Sequence, residues 1–307
     1  MNLESKFVWM NGTLVPTEKA VVPFLTPALH YGTAVFEGIR AYETPHGPAI
    51  FRLKDHTTRL FASARIFGFP DLPWTEDEVM AGSKAVVREN GFTECYIRPL
   101  IFSASGHMGL NLMGIVPGLG IAAWEWKGFV SPEAEERGLR ANVSSFTRHH
   151  PNVMMTKSKL AGNYGNSVLA RTESARLGFD EALMLDPSGF VAEGTGENLF
   201  VVRKGVIYTP HRATVLEGIT RDSVLTIAAD LGYEVREEPM TRDQLYLADE
   251  IFVCGTAAEV LAIRELDFRT IGKGTRGPIT TRIAETFRRT VTGHEKKYEA
   301  WIDLCEK

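Results

Sequence analysis

The chain has 307 residues, which at roughly 150 residues per domain suggests two domains. Its apolar content of 44%, charged content of 23% and formal net charge of -4 are those of an ordinary globular protein, without the basic surface that binds nucleic acid or anionic membranes. No apolar run approaches the ~20 residues that span a bilayer, and the N-terminus lacks a secretory signal. We therefore expect a cytoplasmic protein with no nucleic-acid or membrane partner.

The cysteines and glycines exclude several kinds of site. Cys95, Cys254 and Cys305 lie far apart and form no C-x-x-C pair, so we expect neither a metal site nor a redox switch. The chain also contains no G-x-G-x-x-G or G-x-x-x-x-G-K-[ST] loop, which weakens any dinucleotide-binding or P-loop interpretation.

The first part of the chain predicts hairpins followed by helices. FVWMNGTLV at 7–15 alternates around an Asn-Gly pair, the strongest short signal for a β-hairpin. Helical patterns at 54–68 and 75–91 each end at a glycine, as helices often do. Further strands are predicted at 35–43 and 49–53, joined by a Gly-Pro turn, and at 94–102 and 120–126.

The second part begins after a break in the pattern. The stretch 126–138 has no sustained apolar face and predicts a linker. Beyond it we predict strands at 138–146 and 181–186, a hairpin at 198–209, and amphipathic helices at 162–177, 219–231 and 278–292. This mixture favours the α+β class over regular βαβ winding. The predicted division is a small N-terminal domain at 1–125, the linker, and a large C-terminal domain at 139–307.

Two lysines in the stretch MMTKSKLAGNYGNSV are candidates for chemistry. Lys157 and Lys159 are two residues apart, so on an extended segment both would face the same side. A solvated pair is the ordinary interpretation. The uncharged neighbourhood instead suits an amine that forms a Schiff base with pyridoxal 5′-phosphate (PLP). The residues themselves do not distinguish the two lysines.

Other polar residues stand where a PLP site would need them. In GFVAEGTGENLF, Glu193 could pair with a pyridinium nitrogen, with Glu197 as a rival and a solvated turn carboxylate as the ordinary alternative. The stretch 217–232 opens a helix directly after a glycine, where backbone N–H groups bind anions, and Thr220 would add a hydroxyl. Thr256 follows a glycine in CGTAAEV, and Arg59 could pair with a phosphate.

One arginine interrupts an apolar strand. Arg98 lies in YIRP, and a buried arginine needs an anionic partner. That partner could be an internal carboxylate or the carboxylate of a substrate.

Taken together, these motifs give the sequence a close resemblance to the branched-chain amino acid aminotransferases, which are PLP enzymes of fold type IV. The resemblance runs nearly end to end, through HYGTAVFEGIR, FRLKDHTTRL, YIRPL, KSKLAGNY, EGTGENLF, LEGITRD, LYLADEIFVCGTAAE and GPIT. It implies a two-domain fold like that of D-amino acid aminotransferase. The smaller N-terminal α/β domain would precede a larger PLP-binding domain with a β-barrel-like core.

The resemblance implies a role for each cofactor residue. The family's Schiff-base lysine stands five residues before the tyrosine of an Asn-Tyr pair, which selects Lys159 and leaves Lys157 as a bystander. Tyr164 would hydrogen-bond the ring oxygen, and Glu193, rather than Glu197, would meet the ring nitrogen. The other cofactor residues implied are Arg59, Ile219, Thr220 and Thr256 for the phosphate and Leu216 for the ring face.

The resemblance also implies the substrates. The reaction would be reversible amino transfer between L-leucine, L-isoleucine or L-valine and 2-oxoglutarate, with Arg98 receiving the second carboxylate of glutamate. The implied substrate-binding residues are Tyr31, Phe36, Tyr96, Arg98, Met108, Leu110, Trp126, Phe129, Ala257 and Ala258. The loop SGHMGLN would reach a neighbouring subunit, so we expect at least a homodimer.

Two positions depart from the family pattern, and two alternatives remain open. Phe129 stands where tyrosine is frequent, and His107 stands where a small residue is expected, which we interpret as a solvent-facing loop residue. The nearer alternative is another fold type IV enzyme, either a D-amino acid aminotransferase or an aminodeoxychorismate lyase. The remoter alternative is a non-catalytic binding protein.

Overall fold

The structure is a computed structural model that describes residues 5–305. Its strands are β1 Phe7–Met10, β2 Thr13–Pro16, β3 Ala34–Phe36, β4 Ile39–Thr44, β5 Gly47–Phe51, β6 Cys95–Ser105, β7 Val116–Glu125, β8 Leu139–Val143, β9 Glu181–Leu185, β10 Val191–Gly194, β11 Asn198–Arg203, β12 Val206–Thr209, β13 Val235–Glu237, β14 Glu250–Gly255, β15 Glu259–Leu266, β16 Arg269–Thr270 and β17 Ile302–Leu304. Its α-helices are α1 Pro27–Tyr31, α2 Leu53–Phe67, α3 Glu76–Asn90, α4 Pro132–Arg137, α5 Tyr164–Arg176, α6 Ile219–Asp230, α7 Arg242–Leu245 and α8 Pro278–Val291.

The chain forms two compact units that are not continuous in sequence. The first unit contains the described residues up to Lys127, together with Lys157–Gly162 and those from Thr290 onward. The second unit contains Gly128–Thr156 and Asn163–Arg289. The first change of unit falls inside the predicted linker, and the segment that carries the two candidate lysines belongs to the first unit.

The first unit is built on an eight-stranded antiparallel sheet. The strand order is β17-β5-β4-β6-β7-β1-β2, with β3 paired beside β6. The predicted helix ends at glycine are confirmed, because α2 ends at Gly68 and α3 at Gly91, both with positive φ. Thr75 and Glu78 form a capping box that fixes the start of α3.

Two local predictions for secondary structure were wrong, and a third region contains a helix that was not predicted. The predicted strand 35–43 breaks between β3 and β4 at Glu37 and Gly38, where Glu37 turns inward to ionic partners on α2. The Gly-Pro pair lies within β5, and the turn comes earlier, because Thr44 pairs directly with Gly47. The predicted linker contains the short helix α4, whose N-cap Ser131 accepts a hydrogen bond from a backbone N–H.

The second unit is built on a nine-stranded mixed sheet with the order β10-β9-β8-β15-β14-β11-β12-β13 and β16 beside β15. β10 is five positions from β11 in this order, which in a flat sheet would separate them by about 24 Å. Yet Gly194 N donates a hydrogen bond to Glu197 O at 2.7 Å across the short turn that joins the two strands. The sheet therefore curls into a half-barrel, and the α+β class with a barrel-like core is confirmed.

Buried aliphatic side chains fill the second unit. The cluster includes Leu139, Leu183, Leu199, Ile251, Val253, Leu261 and Ile263. The helices predicted at 162–177, 219–231 and 278–292 are confirmed as α5, α6 and α8. Among residues 5–305, no helix is long and apolar enough to cross a membrane, and no group of His, Cys, Asp or Glu side chains is arranged to hold a metal ion.

Candidate active site

One face of β6 and β7 carries an aromatic wall. In the antiparallel pairing, Tyr96 lies opposite Trp124, and the two rings stack with centroids 5.0 Å apart. Side chains alternate across a strand, so Ile97 packs into the core while Tyr96 and Arg98 share the other face. We call this set the aromatic wall: Phe36, Tyr96, Trp124 and Trp126.

Arg98 lies among these rings. Its Cζ atom is 4.6 Å from the centroid of Phe36, 5.2 Å from that of Tyr96 and 5.6 Å from that of Trp124. Its Nη2 donates to Tyr96 Oη at 3.3 Å. Three buried donors here have no hydrogen-bond partner: Arg98 Nε, Trp124 Nε1 and Trp126 Nε1. Buried donors without an acceptor are costly, so this face is suited to a ligand that supplies one.

The backbone on both sides of Lys159 is fixed within the first unit. Lys159 N donates to Ser63 Oγ at 3.0 Å, and Lys159 O accepts from Phe36 N at 3.0 Å. Leu160 forms a β-bridge with Val35. The amine of Lys159 lies 5.1 Å from the ring centroid of Phe36. Phe36 therefore contacts both Lys159 and the guanidinium of Arg98.

The backbone around Lys157 is irregular. Lys157 lies in a turn and Ser158 in a bend, so the segment is not an extended strand. The extended conformation on which the comparison of the two lysines depended was therefore wrong. Ser158 is buried, and its Oγ donates to Ser63 O at 3.0 Å, which anchors the segment just before Lys159.

Arg59 takes part in a buried ionic cluster. Its Nε and Nη2 donate to the two carboxylate oxygens of Glu37 at 2.7 and 2.8 Å, and His56 Nδ1 lies 2.7 Å from Glu37 Oε2. Burial alone would raise the pKa of Glu37, but Arg59 and His56 hold it well below its usual range. Burial, assisted by the positive charges of Arg59 and Lys159, lowers the pKa of His56 against the opposing effect of Glu37.

The loop that contains Met108 is tied to Tyr31. Tyr31 Oη donates to Met108 O at 3.0 Å, and Leu110 is 87% exposed. Within the loop, Gly109 N donates to His107 Nδ1 at 2.9 Å, and the other ring nitrogen lies 2.8 Å from Met113 O. His107 is therefore half-buried, and both of its ring nitrogens contact the backbone of the loop. The expectation that it faces solvent was wrong.

In the second unit, Glu193 lies in a network of buried polar groups. Arg148 Nη2 is 2.9 Å from Glu193 Oε1, and both residues are buried. Asn198 Nδ2 donates to Glu193 Oε2 at 3.3 Å and to Leu216 O at 3.0 Å, while Leu216 N donates to Glu193 Oε2 at 3.3 Å. The motif E-G-x-x-x-N thereby joins the glutamate to the backbone of Leu216.

The start of α6 lies beside the same asparagine. A Cβ atom at Gly218 would stand 2.0 Å from Asn198 Oδ1, so only glycine fits there. Gly218 is the N-cap, Ile219 is the first helical residue and Thr220 is buried in the first turn. The first turn of a helix orients backbone N–H groups toward an anion.

Three predicted residues form one hairpin turn. Thr256, Ala257 and Ala258 connect β14 to β15, whose pairing closes at Gly255 and Glu259. Ala258 is buried, and Glu259 has a φ of 53°, which the tight connection requires. Backbone amides of such a turn can face a bound carboxylate or phosphate.

Glu197 has surroundings unlike those of Glu193. It is buried beside Glu181, and Gly196 N donates to its Oε2 at 3.0 Å. Burial, reinforced by the charge of Glu181, raises the pKa of Glu197 to about 8. Glu197 is therefore mostly protonated at pH 7, whereas Glu193 is paired with a guanidinium.

The remaining predicted residues lie in the second unit. Tyr164 is the first residue of α5 and is half-buried. Phe129 packs against the aliphatic core of this unit. Their predicted contacts with cofactor and substrate stay predictions.

Sequence reasoning missed three residues that belong to these clusters. Glu37 is an acid inside the apolar stretch VFEGI, and this signal of a buried charge could have been found. Trp124 alternates with Trp126 in W-E-W, so strand parity indicates a shared face. Arg148 lies outside any helix or strand, and no local signal connects it to Glu193.

Comparison with known proteins identifies the family. The sequence model described as "Amino-transferase class IV" matches residues 34–266. The branched-chain-amino-acid aminotransferase of Pseudomonas aeruginosa is 48% identical over 299 residues, covering 97% of both chains. That of Escherichia coli K12 is 43% identical over 302 residues, covering 98% of this chain and 97% of its own.

Solved structures agree with this assignment. The branched-chain amino acid aminotransferase of Escherichia coli has a TM-score of 0.96 at 43% identity, covering 99% of this chain and 100% of its own. That of Thermobaculum terrenum, solved in its PLP form, has a TM-score of 0.93 at 37% identity, with the same coverage. The chain is therefore an enzyme of the class IV aminotransferase family.

Proposed function

We propose that this enzyme is a branched-chain-amino-acid aminotransferase. It would transfer the amino group reversibly between L-leucine, L-isoleucine or L-valine and 2-oxoglutarate, by a ping-pong mechanism with PLP. The observation that carries the proposal is the ring of Phe36, which contacts both the amine of Lys159 and the guanidinium of Arg98. An amine for the chemistry and a cation for an acidic substrate thus lie on one apolar surface.

The chain has the polar groups that are needed to bind PLP. The ring nitrogen needs a carboxylate, and Glu193 is buried with its charge supported by Arg148. The phosphate needs backbone N–H groups and hydroxyls, which the first turn of α6 and Thr256 supply. When bound, PLP supplies an electron-withdrawing ring that takes up the electron pair left on the substrate's α carbon after deprotonation.

Lys159 is the catalytic residue in this proposal. Its Nζ atom would hold the cofactor in the resting enzyme, and the substrate's amino group would displace it. The freed amine would then remove the proton from the substrate's α carbon and later return a proton. General acid–base transfer of this kind contributes roughly 100- to 10,000-fold to the rate. The hydrogen bonds that join its backbone to Ser63 and Phe36 support this role, because they hold the residue in one place.

Other residues hold the cofactor. Glu193 keeps a proton on the ring nitrogen, and Tyr164 donates a hydrogen bond to the ring oxygen. Leu216 covers one face of the cofactor ring. The hydrogen bond from its backbone N–H to Glu193 supports the placement of both residues beside the ring. The phosphate is bound by Arg59, the backbone N–H of Ile219, and the hydroxyls of Thr220 and Thr256.

The substrate pocket must accept both an aliphatic chain and a carboxylate. Aromatic faces favour leucine, isoleucine and valine by burying their apolar area. Arg98, assisted by the hydroxyl of Tyr31, receives the second carboxylate of glutamate. Backbone groups of Ala257 and Ala258 bind the α-carboxylate. The walls are completed by Phe36, Tyr96, Trp126 and Phe129.

We also propose that the active form is at least a homodimer. Several large apolar side chains of the first unit are exposed, and contact with another subunit would remove their apolar area from water: Phe24 80%, Leu29 61%, Leu110 87% and Met113 83%. Met108 and Leu110 would reach a neighbouring subunit's substrate.

A panel of amino donors tests the function. Purified enzyme loaded with PLP is given 2-oxoglutarate and L-leucine, L-isoleucine, L-valine or D-alanine, and L-glutamate formation is measured. We expect the three branched-chain donors to be consumed far faster than D-alanine. A preference for D-alanine, or release of pyruvate from aminodeoxychorismate without any amino acceptor, would replace this proposal with one of the related enzymes.

A further inference from the structure

We propose that Glu37 is a positioning residue that holds the guanidinium of Arg59 in the orientation needed to bind the cofactor's phosphate. The inference rests on the proposed role of Arg59 and concerns a residue that would not touch the cofactor itself. Glu37 lies in the break between β3 and β4, and Arg59 lies on α2.

The pairing with Glu37 fixes the direction of the Arg59 guanidinium as well as balancing its charge. Glu37 is fully buried, and its two oxygens accept from Nε and Nη2 of the same guanidinium at 2.7 and 2.8 Å. Two parallel bonds hold both planar groups in one plane, which a single contact would not do. The carboxylate uses one edge of the guanidinium and sets where its other N–H groups point.

A third bond fixes the carboxylate itself. His56 is buried one turn before Arg59 on α2, on the same side of the helix, and its Nδ1 lies 2.7 Å from Glu37 Oε2. Since the ionised carboxylate of Glu37 can only accept, Nδ1 carries the hydrogen that is donated. Both oxygens of Glu37 are therefore committed to groups on α2.

The backbone around Glu37 connects this cluster to the other candidate groups of the first unit. Glu37 N donates to Pro99 O at 2.9 Å, next to Arg98. The preceding residue, Phe36, donates to the backbone of Lys159, and the following residue, Gly38, lies against the hydroxyl of Tyr96. The short segment 36–38 therefore bonds to both Arg59 and Lys159, and it fixes the position of one relative to the other.

A purely structural role is the competing explanation. Buried ion pairs add little net stability relative to apolar residues, so stability alone is a weak reason to keep a charged cluster here. The two explanations differ in one measurable respect. A positioning role concerns only ligands that carry a phosphate, whereas a structural role affects ligands with and without it.

The test measures binding of PLP and of pyridoxal, which lacks the phosphate, to the apoprotein. Glu37→Gln should weaken PLP binding at least about tenfold, the loss expected for a misdirected charge-assisted hydrogen bond. Pyridoxal affinity should change less than about twofold. Arg59→Met should show the same selectivity, and the double variant should lose no more than Arg59→Met alone.

A matched control is an acidic residue at the start of α3 that also pairs with α2. Glu76 pairs with Lys54 at 2.9 Å and accepts from Thr58 Oγ1, both on α2, but near the surface. Glu76→Gln makes the same acid-to-amide change and should leave both affinities unchanged. If thermal denaturation shows that Glu37→Gln is not folded, Glu37→Asp takes its place. This variant keeps the negative charge but shifts the position of the carboxylate, and it should show the same selective loss of PLP binding.

The outcomes separate the inference from the function on which it rests. Equal losses of PLP and pyridoxal binding in the Glu37 variants would overturn the positioning role. A selective loss in Arg59→Met with unchanged PLP binding in Glu37→Gln would also overturn it, while leaving the role of Arg59 intact. No selectivity in Arg59→Met would instead reject the phosphate role of Arg59, and the inference with it.

Discussion

Lys157 and Lys159 are two residues apart, and Lys159 is the one that we propose as the catalytic amine. Its backbone is bonded to Ser63 and Phe36, and its amine lies over an aromatic ring of the wall. Lys157 lies in the turn that begins the segment. At the scale of single residues, these contacts support the role that we propose for Lys159.

The two lysines give a paired prediction. Lys159→Ala should lower the transamination rate at least ~100-fold, because it removes the general base, and should abolish the visible absorbance of the lysine-bound cofactor. Lys157→Ala serves as the matched control and should keep both. Visible spectra and steady-state rates with L-leucine provide the measurement. Loss of activity and absorbance in Lys157→Ala but not in Lys159→Ala would contradict the assignment of Lys159 as the catalytic lysine.

Arg98 gives the second prediction at this scale. Arg98→Leu keeps an apolar side chain among the aromatic rings but removes the guanidinium that lies against three of them. We expect kcat/KM for L-glutamate to fall about 10- to 100-fold, and that for L-leucine to change much less. Equal losses for both substrates would argue against dual recognition.

Sequence reasoning reached some of these residues and not others. Lys159, Glu193 and Arg98 stand in short motifs whose spacing carries the family pattern. The partners of Glu37 are 19 and 22 positions away on another element, so no local pattern pairs them. Arg148 reaches Glu193 only through the fold of the second unit. Long-range ionic partners follow from tertiary structure, not from periodicity.

At the scale of elements, the break between β3 and β4 and the turn between β10 and β11 hold the candidate groups. Sequence patterns predicted the helices well, because their glycine ends and apolar periodicity are local features. The break at Glu37 and Gly38 was missed, since its cause is contact with Arg59 and Tyr96 on other elements.

Gly38 provides a prediction about that break. A Cβ atom at Gly38 would stand 1.8 Å from Tyr96 Oη, so Gly38→Ala must displace Tyr96 or the backbone. We expect the free energy of unfolding to fall by about 1–3 kcal/mol in urea denaturation. Gly165→Ala, where a Cβ atom meets nothing within 4 Å, is the control and should not destabilise. Equal stability of both variants would contradict the steric account.

Glu197 provides a prediction about pH. Its pKa is raised to about 8 in the folded protein by burial and by Glu181, whereas an unfolded glutamate has a pKa of about 4.3. The folded state therefore binds more protons between these values, and its contribution to stability is lost as pH rises from about 5 through 8. Glu197→Gln does not titrate, so it should flatten this part of the profile.

Urea unfolding of the apoprotein at a series of pH values between about 5 and 8.5 checks this sign. The exposed Glu43→Gln is the control and should keep the slope of the unaltered protein. An unchanged slope in Glu197→Gln would show that Glu197 is ionised in the folded protein.

At the scale of the whole molecule, strand order was beyond prediction. β8 pairs in parallel with β15, and β17 returns from the end of the chain to pair with β5. Such pairings join segments more than a hundred residues apart, and alternation within a strand carries no information about its neighbour. The α+β class was predictable because it depends on which elements occur rather than on how they are ordered.

The central claim is that one enzyme accepts both a branched-chain amino acid and glutamate in alternate half-reactions. The most direct test follows cofactor absorbance after L-leucine is added without an amino acceptor. We predict one cycle of spectral change with release of one 2-oxo acid per active site, and reversal by 2-oxoglutarate with formation of L-glutamate. No spectral change with L-leucine, or no reversal by 2-oxoglutarate, would contradict the account.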